Sequence, residues 1–375
     1  MAKVFQNFKN SKLKVDKVFL ILIIVLIVVG ILIFLSAALG ILPSNELKFF
    51  SVVKSQMFYV FIFGFLALFI GSKIDYKYYK KYSIILFILA VLFTLSVFIP
   101  NLGFAYNGSN RWIHIFNISI QPSESLKFAS VILIAAYCSK YSKQFNKIKF
   151  GLLPFLTFVF IVGLVLLVQP DFGTFLVVLI PAFIVYFVGG AKMRDVLILI
   201  VAGILTFLVL IQVRPYMKER VLTFIQPERE VLGSGYHLNQ SLIAVGSGGL
   251  FGRGVGQSIQ KFNYLPEQIS DSVFAVYAEE LGFVGSIILL SLFFSIIMRG
   301  IFISKRVTDS FGKLLIIGII STFFFQMALN ISSSIGITPL TGIPLPLVSK
   351  GGTSLTFLMF ELGVLLNISR HRVEI

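Results

Sequence analysis

From Leu152 to Gly189 the chain is apolar almost without a break, and the one polar interruption is Gln169, Pro170 and Asp171. As a single helix this run would be about 57 Å long, at about 1.5 Å per residue. That is nearly twice the roughly 30 Å hydrocarbon core of a bilayer. The run must therefore fold back at residues 169–171. Two lipid-embedded helices are the form it can take, because hydrocarbon satisfies no backbone polar groups. Similar apolar stretches recur along the sequence, and with 57% hydrophobic and only 13% charged residues the 375-residue chain reads as an integral membrane protein.

Ten spans are predicted, near 18–39, 56–72, 83–100, 124–139, 152–168, 172–189, 195–213, 272–298, 314–332 and 353–369. The first has basic flanks but is span-length and lacks a small-residue cleavage site, so it is expected to stay as a helix. The expectation is an all-α, single-domain polytopic protein over residues 1–375, with a long outside loop, 214–271, between helices 7 and 8. A second long outside segment covers 101–123. Loops of such length usually carry function.

The net charge of +16 raises the question of nucleic acid. The basic residues instead gather between alternate spans, as in Lys73, Lys77, Lys80 and Lys81, or Lys140, Lys143, Lys147 and Lys149. The other set of segments holds about half as many. This asymmetry orients the chain with residues 1–17 and both termini in the cytoplasm and favours anionic lipid, with no nucleic-acid partner. The single Cys138 excludes an intramolecular disulfide, and His114, His237 and His371 are too scattered to suggest a metal site. The glycine-rich GSGGLFGRGVG at 246–256 lacks the preceding strand and following Lys-Ser/Thr of a phosphate loop. Tight backbone packing or a re-entrant segment suits it better. No internal repeat of the transporter kind is evident.

Candidate chemical groups fall on one side of this topology. Asp271 lies directly before span eight. It either caps the helix or, fixed at the outer rim, accepts a proton, and the two roles are compatible. Glu267, four residues earlier, could raise its pKa as a like-charged neighbour. Glu279 and Glu280 lie deeper, where an unpaired charge is costly, and an ion pair with a basic residue on another helix is expected. In QPSESLK, 121–127, Glu124 and Lys127 share a helix face, as a helix-end lock or as one wall of an anionic site. Arg111 could meet a phosphate and Trp112 the membrane interface. Gln169 and Asp171 occupy the hairpin turn and could also contact a ligand. GIPLPLVSKGGTS, 342–354, is a rigid irregular loop offering Ser349, Lys350 and Thr353.

Five separated blocks, QPSESLK, VQPDFGT, QSLIAVGSGGLFGRGVGQS, YLPEQISDSVFAVYAEELGFVGS and GIPLPLVSKGGTSL, resemble the signature motifs of the SEDS (shape, elongation, division and sporulation) family, in family order and over most of the chain. QSIQKFNYLPE resembles the division branch more than the elongation branch. The resemblance implies a multi-pass protein of the bacterial cytoplasmic membrane that polymerises lipid II, the undecaprenyl-pyrophosphate disaccharide pentapeptide. It also implies a class B penicillin-binding transpeptidase as partner, along with divisome or elongasome membrane proteins. The family's essential aspartate falls on Asp271, which would take the proton from the acceptor's 4-hydroxyl. From the residues' own chemistry and their common side, the expected substrate contacts are Arg111, Glu124, Lys127, Gln169, Asp171, Glu267, Ser349 and Lys350. No cofactor is identified, although a divalent cation, Mg2+ or Mn2+, could assist the leaving group. Two departures stand out: Ile269 and Ser270 where the family commonly has His-Thr, and Lys350 where it commonly has Tyr. A lipid II flippase and a non-catalytic scaffold for the transpeptidase are the competing expectations.

Overall fold

The computed structural model describes residues 15–100, 102–106, 109–115, 118–226 and 233–373. Residues 1–14 of the expected N-terminal cytoplasmic segment lie outside the described residues. The elements that position the site are helices α1 (Lys17–Ala38), α2 (Glu46–Phe58), α3 (Phe65–Lys73), α4 (Tyr76–Lys81), α5 (Ser83–Leu95), strands β1 (Gly103–Tyr106), β2 (Ser109–Ile115), β3 (Ile118–Ile120), and then helices α6 (Ser123–Tyr141), α7 (Leu152–Val168), α8 (Phe172–Val188), α9 (Met193–Val213), α10 (Pro215–Ile225), α11 (Ser234–Ser247), α12 (Val273–Arg306), α13 (Ser310–Ser334) and α14 (Gly352–Ser369).

Each of the ten predicted apolar stretches is helical. Among the described residues six helices are long and apolar enough to cross a membrane: Lys17–Ile41, Glu46–Lys73, Met193–Val213, Val273–Arg306, Ser310–Ser334 and Gly352–Ser369. Ser83–Phe98, Leu152–Val168 and Phe172–Val188 are apolar but shorter. Helix α6 meets neither description, because its first turns carry Glu124 and Lys127. The hairpin forced by the 152–189 run is present, with α7 ending at Val168 and α8 beginning at Phe172.

Helices α6, α8 and α13 pack on one another, α1 and α13 flank α12, and α14 lies along α3. A large apolar core results, with residues such as Phe19, Leu126, Val185, Phe293 and Phe323 fully or almost fully buried, and a small second cluster forms around Phe34, Ala38, Ile41 and Val52. Helix α9 packs mainly on α10 and leaves nearly its whole apolar surface outward, as suits a lipid-facing helix. At the end of the bundle away from the hairpin turn, buried Asp16 caps α1 by accepting from the Phe19 N–H (2.8 Å) and pairs with Arg299 (2.8 Å) and Arg372. This clamp joins the start of the chain to its last helix.

The two long segments between predicted spans carry regular structure in their described parts. Residues 103–106, 109–115 and 118–120 form a three-stranded antiparallel sheet, β1-β2-β3, an addition to the all-helical expectation. The segment 214–271 carries α10 and α11, followed by the glycine-rich stretch. That stretch docks on a break in α12 at Gly282, whose φ of 65° and ψ of −161° lie outside the helical region. The N–H groups of Arg253 and Gly254 bond to the carbonyls of Glu279 and Glu280 (3.0 and 2.9 Å), and Phe283 and Val284 donate to Gly249 and Leu250 (2.9 and 3.0 Å). The loop thus completes the hydrogen bonding that the break leaves open. Gly252, at φ +81°, permits the contact, since a Cβ there would stand 2.1 Å from the Glu280 carbonyl oxygen. Tight backbone packing is therefore the role of Gly252 and of Gly248, where a Cβ would stand 2.1 Å from the Ala278 carbonyl oxygen.

Candidate active site

Asp271 sits in the turn that leads into α12. The cap position of that helix is Ser272, which makes no side-chain cap bond, so the capping role considered for Asp271 is not the one it plays. Its main chain is fixed instead: the Asn330 amide of α13 donates both to the Asp271 carbonyl (2.9 Å) and to the Ile343 carbonyl (2.8 Å). Ser349 donates to the Ser270 carbonyl and accepts from the Leu345 N–H (2.8 Å), and the Lys350 N–H donates to the Ile269 carbonyl (2.8 Å). The irregular 342–351 loop thereby holds the turn from one side and α13 holds it from another. The half-buried Asp271 carboxylate takes no hydrogen bond among the described residues.

Burial, reinforced by the Glu267 carboxylate, pushes the Asp271 carboxyl up to about 6, against the downward pull of Arg220 and Arg111. The sequence expectation of a like-charged neighbour is thus met, with desolvation the larger cause. Glu267 is exposed, and its carboxylate accepts from Ser270 (2.6 Å). Lys350 is exposed too and lies within electrostatic reach of Glu267 and Lys48.

Two arginines approach Asp271. Arg111, on β2, donates to the Pro170 carbonyl and stands 3.7 Å from the Asp171 carboxylate, which also accepts from the Thr174 N–H (3.2 Å) at the start of α8. Arg220, on α10, donates to the Thr341 carbonyl (3.5 Å) and rests over the Tyr216 ring at 5.9 Å. Burial and the nearby Arg111 cation both lower its pKa, although a guanidinium stays protonated at any physiological pH. The hairpin turn, the sheet, α10 and the α12 turn therefore converge on one recess, where the Arg111 and Arg220 guanidiniums face the Asp171 and Asp271 carboxylates. Around it four buried polar atoms lack partners among the described residues: Arg111 Nε, Asp171 Oδ2, Thr341 Oγ1 and Asn330 Oδ1. Buried groups are rarely left in that state without a ligand or ordered water to complete them.

Other expected site residues have structural partners. Gln169 is buried and donates to the Thr94 carbonyl (2.6 Å), a tie within the bundle. Glu124 and Lys127 form the anticipated pair at 2.6 Å, both buried, and Glu361 of α14 is the further charge within their reach. Neither contributes to the electrostatics of Asp271, so the lock reading fits them better than the wall of the recess. Glu279 and Glu280 are paired, as expected, although with loop residues instead of another helix. Glu280 meets the fully buried Lys261 (2.7 Å) and Ser36 (2.7 Å), while Glu279 meets Ser258, the N–H groups of Ile259 (3.0 Å) and Gln260 (3.2 Å), and Arg253 (3.4 Å).

Sequence reasoning missed Arg220, Asn330, Lys261 and His237. Arg220 stands in a run with Arg214, Lys218 and Glu219 that marks no member as special. His237 of α11 is hydrogen-bonded through Nε2 to the hydroxyl of Ser272, the residue after Asp271.

Comparison with known proteins agrees with the motif reading. The model of the FtsW, RodA and SpoVE family, described as cell cycle protein, matches residues 16–374. Stage V sporulation protein E of Bacillus subtilis is 37% identical over 362 residues, 96% of this chain and 99% of that protein. The probable peptidoglycan glycosyltransferase FtsW of Coxiella burnetii is 38% identical over 311 residues, covering 82% and 83% of the two chains. A chain from a peptidoglycan synthase complex, solved for the coordination of polymerization and crosslinking, superposes with a TM-score of 0.78 at 25% identity over 95% of this chain and 98% of its own. The crystal structure of Thermus thermophilus RodA has the same fold, with a TM-score of 0.69 at 24% identity over 97% and 99%. This chain belongs to the FtsW, RodA and SpoVE family of cell cycle proteins, the SEDS family that its motifs resemble.

Proposed function

We propose that this protein is a peptidoglycan glycosyltransferase of the bacterial cytoplasmic membrane that polymerises lipid II at the outer face. The observation that carries the proposal is the open Asp271 carboxylate, raised to about 6, beside two guanidiniums in a recess with unpartnered buried polar atoms. A base that titrates near 6 is mostly ionised at neutral pH and is a stronger base than an ordinary carboxylate.

In this reading all ten helical stretches cross the bilayer and the recess faces outward. Asp271 takes the proton of the acceptor's 4-hydroxyl as that oxygen attacks the anomeric carbon of the donor. The bond from that carbon to the pyrophosphate oxygen breaks with its electron pair, undecaprenyl pyrophosphate departs, and the configuration inverts. Arg220 and Arg111 stabilise the charge gathering on the pyrophosphate. Ser349 and Asn330 hold the turn, and Asp171 keeps Arg111 in place. Lys350 and Glu267 line the approach.

A resident Mg2+ or Mn2+ does not suit this donor set. Among the described residues no three His, Cys, Asp or Glu side chains converge, and the carboxylate that faces the recess meets two cations. A divalent ion would enter only as a counter-ion of the substrate's phosphates. The resemblance to a subunit of a peptidoglycan synthase complex supports a penicillin-binding transpeptidase as partner. The relatives named FtsW support the division branch.

The test is reconstitution of the purified protein with lipid II, with and without a class B transpeptidase. Glycan strands in detergent support the glycosyltransferase. Transfer of lipid II across a sealed vesicle bilayer without polymer would instead identify a flippase. Transpeptidase binding with neither activity would leave a scaffold.

A further inference from the structure

Helices α5, α6, α7 and α8 pack unevenly. Helix α6 lies against α5 and against α8, whereas α7 lies against α8 and touches α5 only lightly. A cavity of about 480 Å³ is left between them, open along one side. Buried Phe87, Phe155 and Phe158 line its floor, with the Phe87 and Phe158 rings 5.8 Å apart, and exposed Ile88 and Ile161 line its rim. The wall is almost wholly apolar, and the volume is of the size that holds a small ligand. The lining runs from Ile84 to Leu92 on α5, from Leu133 to Tyr137 on α6 and from Pro154 to Ile161 on α7, so the cavity lies in the half of the bundle nearest the 142–151 loop. At that end each of the three helices carries exposed lysines: Lys80 and Lys81 before α5, Lys140 and Lys143 at the end of α6, Lys147 and Lys149 before α7. None of them is in an ion pair among the described residues. The chain has no acidic residue between Asp75 and Glu124 or between Glu124 and Asp171. Buried Asp195, which packs against Gly151 of the same loop, is already paired with Arg194 (3.0 Å). The ammonium groups of Lys81 and Lys140 stand over the Tyr82 and Tyr141 rings at 5.2 and 4.9 Å, and such tyrosines mark the level where bilayer meets water. The cavity begins about one turn deeper, at Ile84 and Tyr137.

We propose that this cavity is a binding site for an anionic phospholipid of the inner leaflet, with one acyl chain lying over Phe87 and Phe158 and the phosphate held by the lysines at the ends of α5, α6 and α7. Charge selects the occupant. A neutral lipid covers the same apolar wall but leaves these lysines without a counter-charge. The polyprenyl tail of a substrate used at the outer face belongs to the other leaflet. Lysine stems suit the task, since they lie along apolar surface while their ammonium groups stay at the level of the phosphates. The inference rests on the topology of the proposed function, in which these helices cross the bilayer with their lysine-bearing ends in the cytoplasm, and not on the chemistry at Asp271.

The test uses the full chain carrying Trp112→Phe and Ile88→Trp, so that its one tryptophan sits at the rim of the cavity. This reporter protein is placed in phosphatidylcholine vesicles that contain chain-brominated phosphatidylglycerol or chain-brominated phosphatidylcholine, and quenching of its fluorescence is read. The brominated anionic lipid is expected to quench with at least about fivefold higher affinity than the brominated neutral one. Lys81→Gln/Lys140→Gln/Lys149→Gln is expected to bring that ratio to within about twofold of unity. Lys192→Gln/Lys305→Gln/Lys313→Gln, which removes the same charge at the ends of α9, α12 and α13, is expected to leave it unchanged. Equal affinities in the reporter protein, a ratio that survives the first triple variant, or a ratio lost equally in both would each overturn the proposal. Relief of quenching by equimolar lipid II would give the cavity to the polyprenyl chain, and absence of quenching by either lipid would close it to lipid. Both results contradict the proposal. Should Ile88→Trp not fold, Ile161→Trp on the opposite wall reads the same site. Quenching by iodide from the water would put the cavity outside the bilayer and sink the topology on which both readings stand. Equal quenching by the two brominated lipids sinks only the present inference.

Discussion

Two sets of carboxylates stand within ten residues of each other at the start of α12, and they differ in what surrounds them. Glu279 and Glu280 are saturated, with hydroxyls, two backbone N–H groups, Arg253 and the buried Lys261 covering their oxygens. Asp271 has a fixed backbone and an open carboxylate. A buried acid surrounded by donors has its charge used up in holding structure. One that is desolvated, repelled by Glu267 and left without a donor is poised to take a proton. Proximity in sequence and identical chemical class therefore say nothing about role, whereas the count of donors at each oxygen does.

Substitutions at the two places are expected to fail in different ways. Asp271→Asn should reduce lipid II polymerisation by about a hundredfold or more, with the amount of folded protein not diminished because no side-chain bond is lost. Lys261→Met should do the reverse, lowering stability by about 3–5 kcal/mol, read as loss of folded protein on heating in detergent. Adding Glu280→Gln to Lys261→Met should recover part of that loss, because the stranded buried charge is gone. Arg220→Ala should lower kcat/KM about tenfold and move the acid limb upward, since one of the two cations holding the Asp271 pKa down is removed. Arg220→Lys should retain the limb but not the full rate. Exposed Lys350 should matter least, its alanine variant staying within about threefold of the parent. An effect at Lys350 as large as that at Arg220 would break the distinction between a group in the recess and one at its edge.

A finer consequence concerns stability. The Asp271 carboxyl has a higher pKa folded than its ordinary value of 3.8. Between pH 4 and 6 the folded state therefore binds more proton than the unfolded one, and this residue's contribution to stability falls as pH rises through that window. Asp271→Asn should be the more stable protein at pH 8, and the difference should shrink toward pH 4. Thermal melts across that range would check the sign.

Much of the architecture was legible because it follows from local physics. The hairpin at 169–171 is forced by helix rise and bilayer thickness, and the Glu124–Lys127 pair by helical spacing. The position of Asp271 follows from the motif. What was not legible depends on distant segments. Arg220, His237 and Asn330 reach the α12 turn from 51, 34 and 59 residues away (271 − 220, 271 − 237 and 330 − 271), and no local pattern distinguishes them. Pairing was anticipated for Glu280, but Lys261 lies in a loop that only the Gly282 break brings near. The sheet of β1, β2 and β3 escaped because its strands are short and interrupted by turn residues, which read as an irregular loop.

The central claim is that the unsatisfied carboxylate of Asp271 is the base. Its most direct test is the pH dependence of single-turnover lipid II polymerisation, measured from pH 5 to 8 on the parent and on Asp271→Asn. The expected result is a parent rate that falls tenfold per pH unit below an inflection near 6, with the asparagine variant inactive throughout. A parent rate that is flat across this range, or an asparagine variant that polymerises with the parent's profile, would contradict it.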